Sequence, residues 1–153
     1  MKIFKKYIRV VFSLFFLLSL PSCSSSDSNS SDTATGITMA EVNTIITEGN
    51  WIVTIFDEDS VLRTSEFSGY SFNFNVNGSL IASLSGDDKI GTWSSTTDSG
   101  KVKIPIAFAT ETDGPFESIS EDWIVLTASN TKIELRHVSS EDESITLLTI
   151  EKS

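Results

Sequence analysis

Gly69-Tyr-Ser-Phe-Asn-Phe-Asn-Val-Asn-Gly-Ser-Leu-Ile-Ala-Ser-Leu84 is the stretch that decides the fold class of this 153-residue chain. Tyr70, Phe72, Phe74 and Val76 alternate with Ser71, Asn73 and Asn75, so an extended backbone places the apolar side chains on one face and the polar ones on the other. Asn77-Gly78 tolerates positive φ at both positions and predicts a type I′ turn, after which Leu80, Ala82 and Leu84 run back. A hairpin with one buried face is expected, with the row from Tyr70 to Val76 pointing inward.

Working outward, the same period of two recurs. On the N-terminal side, Thr38-Met-Ala-Glu41 has capping-box spacing, and Val42, Ile45 and Ile46 form a helical stripe that ends at Gly49. A short amphipathic helix of about three turns is expected there, over one end or edge of the sheet. From Trp51 to Phe56 the strand is apolar on both faces, which reads as a strand covered on both sides. A polar connection runs from Ser60 to Phe67.

On the C-terminal side, strands are expected over Lys89–Ser94, from Lys101 to Phe108, and over Asp122–Ala128, Thr131–Val138 and Ser144–Glu151. In the Lys101 strand Val102, Ile104, Ile106 and Phe108 share a face, and Pro105 marks an edge, a bulge or a strand end. Pro115-Phe-Glu-Ser-Ile119 reads as one helical turn. The total is eight strands in sequence order with mostly hairpin-length links. That pattern predicts an all-β, antiparallel, eight-stranded up-and-down meander barrel with a short N-terminal helix. The alternative is a two-sheet β-sandwich, which needs longer crossings than the connections here supply.

The first residues have a different character. Lys2, Lys5, Lys6 and Arg9 precede an apolar run from Val10 to Leu20, the n- and h-regions of a secretory signal peptide. The run is short of the roughly 20 apolar residues that a spanning helix needs. Leu20-Pro21-Ser22-Cys23 follows and resembles the lipobox of bacterial lipoproteins, in which the cysteine becomes the lipidated first residue. Residues 1–22 are then a signal peptide, and 23–36 are the lipidated Cys23 with a Ser/Asp-rich flexible tether. Residues 37–153 form the β domain.

Cys23 is the only cysteine, so the mature fold relies on its core and not on disulfides. The resemblance implies attachment to the bilayer by acyl chains such as palmitate, in the outer membrane of a Gram-negative cell envelope. Periplasmic and surface-exposed placement both stay open.

Removing residues 1–22 takes away four of the eleven basic residues and none of the 21 acidic ones, which leaves 7 minus 21, or −14. Such a surface disfavours nucleic acid and electrostatic adhesion to anionic membrane, and it keeps an exported domain soluble.

Gly49-Asn50-Trp51 is similar to the Gly-x-Trp motif at the first strand of lipocalins, although Gly91-Thr92-Trp93 repeats the spelling and the family's Thr-Asp-Tyr motif is absent. The likeness to lipocalin-like lipoproteins implies that Trp51 closes the barrel floor, that Gly49 makes the tight entry, and that a small apolar or amphipathic ligand occupies the barrel. Its expected lining is Trp51, Tyr70, Phe72, Phe74, Trp93, Phe108, Trp123 and His137. The same rings, read without the resemblance, are core.

No pattern supports catalysis. His137 is the only histidine, no Gly-x-Ser-x-Gly elbow presents a nucleophile, and the acidic pairs fall at expected turns. Neither an enzyme nor a cofactor or metal is expected. A competing expectation is a solid β module that serves as an interaction or accessory subunit of an envelope complex. It would use an outer apolar patch of Ile52, Phe56, Ile124 and Leu126.

Overall fold

The computed structural model describes residues 36–111 and 113–153, so the expected signal peptide, the lipobox-like stretch, Cys23 and the expected tether as far as residue 35 lie outside the described residues. Helix α1 (Met39–Ile46) is followed by strands β1 (Trp51–Glu58) and β2 (Val61–Leu62), a 3₁₀ turn (Thr64–Phe67), then β3 (Ser71–Phe74), β4 (Ser79–Leu84), β5 (Asp87–Trp93), β6 (Thr96–Asp98) and β7 (Lys101–Ala107). The one-turn helix α2 (Pro115–Ser118) precedes β8 (Asp122–Ala128), β9 (Lys132–Val138) and β10 (Ile145–Lys152). All pairings are antiparallel, in the order β10-β9-β8-β7-β5-β4-β3-β1, and β1 pairs back onto β10. Eight strands therefore close a barrel, with β2 and β6 as short additions on β1 and β7. The sandwich alternative falls, because Trp51 to Glu58 runs against Lys152 to Thr146 along the full seam.

The decisive hairpin forms, but its turn differs from the expected one. Asn75 N–H donates to Ser79 O at 2.9 Å, Gly78 N–H donates to Asn75 O at 2.9 Å, and of the two expected residues only Gly78 has positive φ, at 85°. This is a three-residue loop, a type I turn followed by a left-handed glycine, and not the type I′ turn on Asn77-Gly78. The reason lies in register. A two-residue turn would set Phe74 opposite Ile81 and send Leu80 and Ala82 to the wet face. The extra residue sets Phe74 opposite Leu80 and Phe72 opposite Ala82, and all four are buried. Val76 becomes the loop tip, 90% exposed, and leaves the inward row.

A second departure explains the two-faced apolar first strand. Between Val53 and Ile55 the register against β10 shifts, from Ile150 to Thr149, so Thr54 is an extra residue in β1. The bulge changes which parity faces inward. Trp51 and Val53 are inside before it and Phe56 is inside after it, while Ile52 and Ile55 stay outside, 38% and 44% exposed. The strand is not covered on both sides. A matching shift between Val125 and Thr127 in β8 leaves Leu126 outside.

Two caps close the interior. Thr38 and Glu41 make the expected capping box, and α1 is a little over two turns long, shorter than expected, with Val42 and Ile46 buried. The Trp51 indole donates to Ile46 O at 2.8 Å, fastening α1 to the start of β1. At the opposite end α2 brings in Phe116 and Ile119, and the Trp123 indole donates to Ile119 O at 2.9 Å. The stretch expected to be a plain polar connection contains the 3₁₀ turn, which inserts Phe67 into the core.

Candidate functional site

Six of the eight side chains expected to line the barrel are buried in the core: Trp51, Phe72, Phe74, Trp93, Phe108 and Trp123. They belong to one hydrophobic core and pack against its other side chains. Phe108 meets Phe116 with ring centroids 4.9 Å apart, Phe67 meets Phe56 at 5.1 Å, and Phe74 meets Trp93 at 5.6 Å, all edge-on. Those are direct ring contacts, in the geometry aromatic pairs prefer. Tyr70 sits half-buried at the margin, edge-on to Phe116 at 5.0 Å. Phe67, Phe116 and Ile119 complete the plug and were missed by strand periodicity, because none of them lies on a strand. The spacing of Phe116 and Ile119 within the expected helical turn was the one signal for them.

The eighth residue, His137, is half-buried at the α2 end. Its Nδ1 lies 3.3 Å from Asp122 O, its Nε2 lies 3.5 Å from the Glu121 carboxylate, and its ring stands edge-on to Trp123 at 6.1 Å. It lines a cleft of about 760 Å³ outside the core, beside Lys103, Pro105, Glu121, Asp122 and Glu141. Ser120, a hydroxyl in the same cleft wall, is committed elsewhere: it accepts from Phe108 N at 2.9 Å and donates to Phe116 O at 2.6 Å. It therefore ties α2 to the end of β7. Among the described residues no group of three His, Cys, Asp or Glu side chains converges in a way that suits a metal ion.

The expected outer patch is broken up by the bulge, since Phe56 is fully buried. A different apolar surface replaces it. Leu147 and Ile145 share the outer face of β10, Val138 stands opposite Ile145, and Asp57, opposite Leu147, is flanked by Leu62 on β2 and by Ile55 two residues back along β1.

A smaller cleft of about 380 Å³ lies where the chain enters the domain. Gly36 and Ile37 form part of its wall, with Lys101, Ile124, Leu126 and Arg136. The recorded pairing of β7 with β8 covers only Lys103–Pro105 against Asp122–Ile124, and the cleft lies beyond it.

No family model matches the sequence, and no curated protein matches it. Among solved structures the chain is similar to a DUF4847 family protein from Bacteroides vulgatus ATCC 8482, with a TM-score of 0.50 and 14% identity, covering 73% of this chain and 97% of that one. At that identity the likeness concerns the fold, a closed antiparallel barrel.

Proposed function

We propose that this chain is a lipid-anchored, non-enzymatic β module of a Gram-negative cell envelope that works through its outer surface, as an interaction or accessory subunit. The carrying observation is the plugged interior: α1 and Trp51 close one end, α2 and Trp123 the other, and rings in edge-on contact pack between them. An interior ligand would have to displace rings that are each fully buried, at a cost of several kcal/mol per large side chain. The lipocalin-like reading of Gly49-Asn50-Trp51 retains its support as architecture, since Trp51 seals an end, and loses support as a carrier. The outer apolar surface around Leu147 supports the interaction reading. The lipobox at Leu20 to Cys23 supports acyl attachment to the outer membrane.

An uncharged naphthylamine dye separates module from carrier. The module reading expects no saturable one-to-one uptake and no quenching of tryptophan emission; stoichiometric uptake would restore the carrier. Radiolabelled palmitate tests the anchor: label is expected on the wild-type chain and not on Cys23→Ser, and an unlabelled wild type would refute it.

A further inference from the structure

Seven basic residues remain once the leader is removed, and five of them rest against carboxylates. Arg63 holds Glu58 and Glu66, Lys89 lies 3.4 Å from Glu111, Lys103 is 2.7 Å from Asp98, Lys132 is 2.6 Å from Glu134, and Lys152 is 3.7 Å from Glu48. Among the described residues Lys101 and Arg136 have no such partner. Asp98 stands opposite Lys101 in the β6–β7 ladder, but its carboxylate is held by Lys103 and Ser99. The Arg136 Nε is buried with no hydrogen-bond partner. Acids outnumber bases threefold in the mature chain, so two unpaired cations cannot be explained by a shortage of carboxylates. Both line one cleft.

That cleft has a second property. Lys103, Ile124 and Arg136 form one row across the outer face of β7, β8 and β9, with Lys101 and Leu126 further along toward the α1 end. Two cations thus stand over an apolar floor of Ile37, Ile124 and Leu126. Gly36, in the same wall, is where the tether joins the domain. Only 13 residues, Ser24 to Gly36, separate the cysteine of the proposed anchor from this wall in the sequence.

We propose that this cleft seats the phosphate of a phospholipid headgroup in the membrane that holds the Cys23 acyl chains, an assignment that rests on the anchored reading above. The Arg136 guanidinium offers a planar fork to phosphate oxygens and Lys101 a second charge. Ile37, Ile124 and Leu126 meet the glycerol and upper acyl region. The chain's overall charge opposes an anionic surface at long range, but screening confines that repulsion to about 8 Å in physiological salt. At the headgroup itself the two free cations dominate. The cleft volume falls within the range of small-molecule sites, about 300–1,000 Å³.

The test uses the mature chain with Cys23→Ser, which carries no acyl group, sedimented with vesicles of phosphatidylethanolamine and phosphatidylglycerol. Weak, salt-sensitive binding is expected. Lys101→Gln/Arg136→Gln should lower it about tenfold or more. Lys132→Gln/Lys152→Gln, which removes the same charge from paired positions, should leave it near the wild-type level. Equal losses in the two double variants, or no wild-type binding, would overturn the proposal. So would displacement by inorganic phosphate at matched ionic strength, which assigns the cleft to free phosphate. Binding that appears only after Asp27→Asn/Asp32→Asn would make the tether the occupant and also overturn it. Because no acyl chain is present, each of these failures is distinct from a failure of palmitate labelling at Cys23.

Discussion

The two halves of the barrel wall are held together by different forces. From β9 through β10 to β1 the strands share long ladders: Val138 to Lys132 runs against Ile145 to Glu151, and Trp51 to Glu58 against Lys152 to Thr146. The meander β3–β4–β5 joins that half by much less. On one side Trp51 opposite Phe72 is the recorded pair, and on the other Thr92 and Trp93 lie opposite Ala107 and Ile106. What spans the first of these seams is aromatic. Phe67 meets Phe56 of β1, Phe72 of β3 and Phe116 of α2, at 5.1, 6.1 and 5.9 Å. Backbone hydrogen bonds join β9, β10 and β1, and side-chain burial joins the meander to β1, so side-chain losses should separate the two.

The largest effect is expected from Phe67→Ala, about 3–5 kcal/mol of stability. Leu148→Ala, in the ladder half, should cost a comparable 2–5 kcal/mol or so. The comparison is decided by location. Amide exchange in Phe67→Ala should rise first in β3–β5 while β9 and β10 stay protected, and in Leu148→Ala it should rise throughout. Uniform loss of protection in Phe67→Ala would mean that the rings are ordinary core and the halves are not distinct.

A smaller effect tests the other seam. A Cβ built on Gly91 would lie 2.7 Å from Ala107 O and 2.9 Å from the Phe108 ring, so β5 and β7 approach each other there only because residue 91 lacks a side chain. Gly91→Ala should cost about 1–3 kcal/mol, read as a lowered urea midpoint at unchanged slope. An unaffected midpoint would show that the seam has room to open and that its two pairs contribute little. The repeated Gly-x-Trp spelling at Gly91-Thr92-Trp93 thus has a local physical reason of its own.

The regular part of this architecture was legible in the sequence. Period two placed all eight barrel strands within a few residues of their ends, and Thr38 with Glu41 marked the start of α1. Illegible were the features that depend on a partner across the sheet. The bulge at Thr54 makes one strand look apolar on both faces, and only the register against Ile150 and Thr149 reveals it. The turn at Val76 is fixed by where Leu80 must point, not by Asn77-Gly78 alone. Phe67 and Phe116 enter the core from connections, where alternation has no meaning. The entry cleft was equally invisible, since Lys101 and Arg136 are far apart in sequence and stand out only because the other five cations among the described residues are paired.

The smallest effect concerns α1, which touches both halves: Ile46 O accepts from Trp51, while Asn43 and Thr47 lie beside Trp93. The Thr38 hydroxyl donates to the Glu41 carboxylate at 2.7 Å, and Thr38 N–H donates to it at 2.9 Å. These bonds hold the Glu41 carboxyl below its ordinary pKa, with the side-chain bond the larger cause. A lowered carboxylate pKa stabilises the fold fully above the unfolded value of about 4.3, and that contribution disappears as pH falls through the folded value. Thr38→Ala should therefore cost about 1 kcal/mol at pH 7, and the gap from wild type should narrow in melts near pH 3 as Glu41 takes up its proton in both chains. A gap independent of pH would place the whole effect in the bond from Glu41 N–H to Thr38 Oγ, at 3.2 Å, and leave the carboxylate without a role. Unfolding that stays a single transition in Thr38→Ala would further show that α1 does not hold the meander to the ladder half, which leaves that task to Phe67 and its neighbours.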